Sequence, residues 1–129
     1  MATSTPGGAK TNLGLEPNIA GLLCYVPCCI GLVFSVVAAI VEKQSRFVRF
    51  HAFQSLLLHG AVIVLWIGIT AVQVGLSFVG LGAVSLLIQL LSWVVGIALL
   101  GLTIFLMIKA NGGEELELPV IGRLAKGWV

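Results

Sequence analysis

"RFVRFHAFQS", residues 46–55, is the hinge on which the fold turns, because it separates two long runs of apolar residues. On its N-terminal side, residues 19–41 hold 23 positions without a charge; on its C-terminal side, residues 56–108 hold 53 more. A membrane-spanning helix needs about 20 apolar residues to cross a hydrocarbon core of ~30 Å. The first run therefore reads as one span. The second is long enough for two, joined where Gly80-Leu81-Gly82 permits a tight reversal. The expected fold is an all-α membrane protein with three transmembrane helices at about 19–41, 54–78 and 84–108, the second and third forming a helical hairpin.

Composition points the same way. The chain has 129 residues, of which 59% are hydrophobic and only 9% charged, too few to coat a soluble domain, where about a quarter is usual. Its net charge of +2 leaves no basic block able to track a nucleic-acid backbone, so the expected partners are the lipid bilayer and other membrane proteins or further copies of itself, a homo-oligomer, and no nucleic acid. The three cysteines, Cys24, Cys28 and Cys29, all sit inside the first apolar run, which argues against a disulfide framework.

Three spans would put the 42–55 connection and the tail on one face, with Lys43, Arg46, Arg49, Lys109, Arg123 and Lys126, and leave Lys10 on the other. Under the positive-inside rule this predicts a multi-pass protein of the cell inner membrane with its N-terminus outside and its C-terminus in the cytoplasm. Residues 1–17 read as a disordered tail and 18–110 as the membrane domain. Asn111-Gly112-Gly113 stops the last helix. Within the tail, 111–129, Leu118, Ile121, Leu124 and Trp128 fall at helical spacing opposite Arg123 and Lys126, as in a segment lying in the membrane interface; a merely ordered tail is the alternative.

Helical periodicity sorts the remaining polar and small residues. In the first run Ala20, Cys24, Cys28, Gly31 and Ser35 share one stripe, a packing face where backbones approach closely, with Tyr25 turned away from it and Pro27 kinking the helix. The second and third spans carry facing polar stripes, His51, Ser55, His59, Thr70 and Gln73 against Gln89, Ser92 and Thr103. If the chain reverses at Leu81, positions whose numbers sum to 162 share a depth, which pairs Gln73 with Gln89 and large Trp66 with small Gly96. This seam reads as interhelical hydrogen-bonding, or as the lining of a solute path if several copies assemble. In the hinge itself, Arg46, Arg49, Phe50, Phe53 and Leu57 fall to one side as an interface anchor, while His51, Gln54, Ser55 and Leu58 face another, with His51 and Gln54 expected inside the bundle, hydrogen-bonded to another helix or the C-terminal tail.

Reactive constellations are thin. Cys24 and Cys28, one helical turn apart, suit a soft cation such as Cu(I), yet cysteine is also a common packing residue. His51 and His59 are about 12 Å apart along one helix and cannot share a metal ion; a bis-histidine haem would need a second copy. Ser55 lies one turn from each histidine without a carboxylate to orient either. No phosphate-binding glycine loop is present. The expectation is a protein that is not an enzyme, with no cofactor and no metal.

"AGLLCY" at 20–25, Gly31, "EK" at 42–43, "FVRFHAFQSLLL" at 47–58, "MIKA" at 107–110 and "LPVIG" at 118–122 resemble the Tic-like family, small multi-span prokaryotic membrane proteins related to a subunit of the chloroplast inner-envelope protein import translocon. Residues 15–125 carry the resemblance, with Arg49, Phe50, His51, Ala52 and Gln54 matching its signature. It implies a non-enzymatic subunit or scaffold of a membrane complex linked to protein transport. The alternative from the residues alone is an oligomeric channel or carrier for a small solute along the polar seam.

Overall fold

A computed structural model describes residues 10–129. They form five helices, α1 (Pro17–Leu23), α2 (Cys29–Val41), α3 (Arg46–Phe78), α4 (Gly82–Asn111) and α5 (Ile121–Gly127), and no strand among the described residues. α3 and α4 are long and apolar enough to cross a membrane.

The first apolar run is not one helix, and this corrects the three-span expectation. α1 starts at Pro17, whose missing N–H costs nothing at a first helical position, and stops after Leu23. Pro27 then has no N–H to offer, and Cys28 takes φ +70°, a left-handed value that ends any α-helix. α2 starts afresh at Cys29 and runs only 13 residues, about 20 Å at 1.5 Å per residue. Neither piece is long enough to cross.

The two short helices instead make a hairpin that enters and returns at the same end of the bundle. At its mouth, the Asn12 amide donates to Glu42 (2.8 Å) and the amides of Lys43 and Gln44 donate to the Asn12 side chain (2.9 and 3.2 Å). At its tip, the Cys24 carbonyl accepts from Ser35 (3.0 Å) on α2 and Ser55 (2.5 Å) on α3. Ser55 lies nine residues beyond Arg46, about 14 Å along α3, so the hairpin reaches roughly halfway through a ~30 Å core. The three-span expectation put Lys10 across the membrane from Lys43, whereas Asn12 bonds the 42–45 loop, so residues 10–16 share an end of the bundle with it. Residues 10–17 are also folded where a disordered tail was expected, with Thr11 buried and closing a turn onto the Leu15 carbonyl (3.0 Å); residues 1–9 of that expectation lie outside the described residues.

α3 and α4 form the long hairpin. The reversal is a left-handed cap: Gly80 at φ +79°, with the Leu81 amide reaching back to the Leu76 carbonyl (2.9 Å) and that of Gly80 to Ser77 (3.3 Å). α4 ends the same way at Gly113, φ +79°, with the Glu114 amide on the Lys109 carbonyl (3.0 Å). Trp66 lies against Gly96, where an added Cβ would stand 3.5 Å from the indole.

The packed core, Ala20, Cys24, Tyr25, Ala38, Val48, Ala52, Leu58, Leu106 and Ala110, fills one end of the bundle only. Beyond it the hairpin is bare, with Val64, Ile67, Leu87, Trp93 and Ile97 each more than 60% exposed. In water such a continuous apolar surface would aggregate; against lipid it is the expected finish. All seven basic and all five acidic residues of the chain fall in 10–49 and 109–126, so every charge sits at the packed end.

Candidate functional site

The only dense polar constellation among the described residues lies in that packed end, where the hinge of α3 meets the α1–α2 turn and the C-terminal tail. Ser45 caps α3, its side chain accepting from the Val48 amide (3.3 Å). The 42–45 loop is itself tied by Glu42. This buried carboxylate accepts from the amides of Gln44 and Ser45 (both 2.8 Å) besides that of Asn12, so its charge is met by backbone donors.

One turn further on, His51 is fully buried, ringed edge-on by Tyr25, Phe47 and Phe50 at centroid distances of 5.5, 4.5 and 5.1 Å. Its Nδ1 is 3.0 Å from the Tyr25 hydroxyl. That hydroxyl also accepts from Gln54 Nε2 (2.9 Å), so one tyrosine oxygen joins the histidine to the glutamine. His51 Nε2 is closed off from solvent and turned toward the Glu114 backbone without a well-formed hydrogen bond.

Gln54 is the knot. Beside its bond to Tyr25, Nε2 donates to the Leu116 carbonyl (2.9 Å), and Oε1 accepts from the Leu118 amide (3.0 Å). A side-chain amide thus binds the 114–120 strap as a neighbouring strand would, by one acceptor and one donor two residues apart. Gly122 makes room for it: a Cβ there would stand 2.7 Å from Gln54 Oε1 and 2.8 Å from Glu117 Cα. α5 then lies along the first turns of α3, with Gly122 and Ala125 buried, Trp128 edge-on to Phe53 at 5.8 Å, and Lys126 paired with Glu117 and over the Phe50 ring.

The expected site residues are distributed as follows. Arg46 is exposed and Arg49 half-buried on the flank of α3. Phe50, assigned to the lipid-facing side with them, is instead buried, because the docked tail covers its side of α3 and leaves Arg46 outside. Ser55 meets the Cys24 carbonyl, and His59 Nδ1 lies 3.1 Å from the Ser55 hydroxyl and 2.8 Å from its carbonyl, within its own helix. The seam turns inward on each helix: Ser92 donates to Ile88 (2.7 Å), Thr103 to Leu99 (2.9 Å) and Ser77 to Gln73 (2.9 Å), all carbonyls one turn back. Only Ser85 crosses, at 3.5 Å to the Gln73 carbonyl. Thr70 and Gln89 are exposed and join no described hydrogen bond, and Gln73 Nε2 is buried without a partner.

Ala20, Cys24, Gly31 and Ser35 are buried packing positions, but Cys28 is exposed. The Cys24–Cys28 pairing required a continuous helix; with the chain broken between them the one-turn relation is gone, and Cys24 Sγ donates to the Ala20 carbonyl (3.3 Å). Three participants escaped the sequence reading. Tyr25 was turned away by the same assumption of continuity, Glu42 looked like an edge charge, and Asn12 lay in an expected tail. The one available signal was Pro27 two residues after the chain's single tyrosine. Chemically, the constellation is a joint: Tyr25, Glu42 and Gln54 spend their polar atoms on other segments of the chain, and the histidine has no open approach.

Compared with known proteins, residues 14–125 match the magnetosome magnetite crystal formation protein family. A UPF0132 membrane protein of Methanocaldococcus jannaschii is 40% identical over 119 residues, covering 92% of this chain and 94% of that protein. A second UPF0132 membrane protein of the same organism is 34% identical over 117 residues, 90% of this chain and 72% of its own. One from Archaeoglobus fulgidus is 30% identical over 117 residues, 87% and 94%. No solved structure matches. These matches overturn the Tic-like resemblance, and with it the link to protein transport: short shared blocks such as "FVRFHAFQS" suggested that family, whereas the match along nearly the whole chain is to another.

Proposed function

Since the chain belongs to the magnetosome magnetite crystal formation protein family, whose relatives here are membrane proteins, we propose that it is a non-enzymatic membrane scaffold. It presents one folded, charged cap at a single face of the bilayer and assembles there with other membrane proteins or further copies of itself. The observation that carries this reading is the joint at Tyr25, His51 and Gln54, which spends its polar groups on tying the re-entrant hairpin, α3 and the tail into one body. Rigidity of the cap is what such an arrangement provides. The positive-inside rule favours the cytoplasm for that face, with both described ends of the chain there and the protein in the cell inner membrane. From the family we carry over the membrane setting and not the mineral, because Glu42, Glu114 and Glu117 are already engaged by backbone amides, Lys109 and Lys126.

Crosslinking in native membranes followed by mass spectrometry tests the proposal. Recovery of other membrane proteins, or of further copies, joined through residues of the cap supports it. A chain that crosslinks only through the distal hairpin argues against it. The second reading, an oligomeric channel or carrier, draws on Gln73, whose buried Nε2 has no partner beside a groove lined by Val74, Ser77, Phe78 and Ser85. It requires solute flux in liposomes that Gln73→Leu abolishes.

A further inference from the structure

Arg46 and Arg49 stand one turn apart on the flank of α3, where the hydrogen-bonding needs of the chain do not use them. Arg46 makes no hydrogen bond or ion pair among the described residues. Arg49 has a single long bond, Nη2 to the Trp128 carbonyl at 3.5 Å, while its Nε is buried without a partner. Two like charges at this spacing repel, so the pair is an unfavourable surface until an anion lies between them. A guanidinium fork is shaped for two oxygens of one phosphate or carboxylate.

Directly below the arginines, the same face of α3 changes character. At ~100° per residue Arg46, Arg49, Phe53, Leu57, Gly60, Val64, Gly68, Ala71 and Gly75 fall in one stripe. The Arg49 guanidinium is 5.8 Å from the Phe53 ring centroid, and Phe53 in turn meets Trp128, so an aromatic wall stands at the level just beneath the charges. Past Leu57 the stripe is smooth. Gly60, Gly68 and Gly75 are exposed, and a Cβ on any of them would meet nothing within 4 Å. Each glycine lowers helix stability by about 1 kcal/mol relative to alanine, and no packing inside the protein requires it.

We propose that this flank is a binding site for one anionic phospholipid, its headgroup phosphate held by Arg46 and Arg49 and an acyl chain lying along Phe53, Leu57 and the glycine track. A second copy of the chain is the other candidate for so smooth a strip. A symmetric pair of equally inserted copies on this face would bring four arginines together, and the charge favours the lipid. The lipid reading also places the phosphate at headgroup depth and the chain in the acyl region without further adjustment.

The test uses the purified full chain in nanodiscs of phosphatidylcholine with one-tenth phosphatidylglycerol, released into the mass spectrometer to read which lipid stays bound. Phosphatidylglycerol should make up at least half of the retained lipid, about fivefold its bulk share. Arg46→Gln with Arg49→Gln should return it to the bulk ratio. Arg46→Lys with Arg49→Lys, which keeps the charge and hence the insertion, should lower it at least threefold because the fork is lost. Gly60→Leu with Gly68→Leu should also lower it by blocking the chain. Retention unchanged in either arginine double variant overturns the site. Stabilisation of the detergent-solubilised protein by inorganic phosphate as strong as by the lipid means that a soluble anion is the ligand, and overturns the lipid. If the leucine pair leaves lipid retention intact but abolishes a chain-to-chain crosslink at Val64→Cys, the track belongs to a second copy and the proposal fails.

Discussion

Replacing Gln54 by leucine should release the C-terminal tail while leaving the helices in place. The side chain makes three hydrogen bonds, to the Tyr25 hydroxyl, the Leu116 carbonyl and the Leu118 amide. Leucine fills much of the same volume and offers none of them. Two of the three hold the tail, and each contributes about 0.5–1.5 kcal/mol net, so docking of the tail should weaken by roughly 1 to 3 kcal/mol. In a regime where the tail closes faster than it is cut, proteolysis follows the open population, and at RT ≈ 0.59 kcal/mol that range corresponds to cleavage after exposed Arg123 about 5 to 160 times faster. Trypsin digestion in nanodiscs, followed by mass, reads this directly. Gln54→Glu makes the argument sharper: it keeps the length and an acceptor for Leu118 but sets a second oxygen against the Leu116 carbonyl, and should release the tail about as much as leucine does. Cleavage within threefold of the parent protein in both variants would show that the strap is held by α5 packing alone and that Gln54 is not the knot.

Cysteines placed at Lys10 and Lys126, on a background without the native three, should label from the same face of sealed vesicles; labelling from opposite faces would restore a third span and discard the re-entrant hairpin. Gly31→Ala should lower stability in detergent by about 1–3 kcal/mol, because its Cβ would run into the Val26 carbonyl and lie 2.9 Å from that of Cys24. Gly68→Ala, with open space around it, should instead be neutral or stabilising by up to about 1 kcal/mol; thermal unfolding followed by circular dichroism separates the two. Glu42→Gln turns an amide NH2 or a weaker acceptor toward three backbone donors and should cost about 1–3 kcal/mol, read as faster proteolysis around Lys43.

The distal hairpin could be read from the sequence because its evidence is local or symmetric. A run of 53 residues without a charge is long enough for two crossings, and its glycines sit where the reversal needs a left-handed backbone. The depth rule that pairs Trp66 with Gly96 requires nothing but two straight helices. The cap could not be read this way. Length and hydropathy measure whether a segment is long enough to cross, and residues 19–41 are; they do not register that Pro27 and Cys28 break the ladder in the middle. That one break explains several misplacements together. A helical wheel drawn through it turned Tyr25 outward and put Cys28 among the buried residues, and counting the run as one crossing sent Lys10 to the far face. Gln54 was placed inside the bundle on periodicity, with another helix or the tail as its partner; that the partners are Leu116 and Leu118, more than 60 residues away in the chain, is something no periodicity reports.

With the first run folded back, the distribution of charge acquires a physical reason. Moving a Lys, Arg or Asp through the membrane centre costs about 2.5–3.5 kcal/mol per residue on insertion scales. A three-span chain would have had to translocate Lys10, with Glu16 beside it, whereas the two-crossing hairpin sends across only residues 56–108, which contain no charge at all. The tip that must pass, Phe78-Val79-Gly80-Leu81, is apolar and uncharged, and its turn is closed by its own backbone bonds. The charged residues meanwhile accumulate where the chain is most tightly packed, and there Glu42 and Gln54 bind backbone while Lys109 and Lys126 bind carboxylates. Arg46 and Arg49 are left over from this pairing at the edge of the lipid. A protein organised in this way is asymmetric by construction: one face is an ordered polar surface and the other a hydrophobic loop. Any partner that recognises charge must therefore meet it from the capped side.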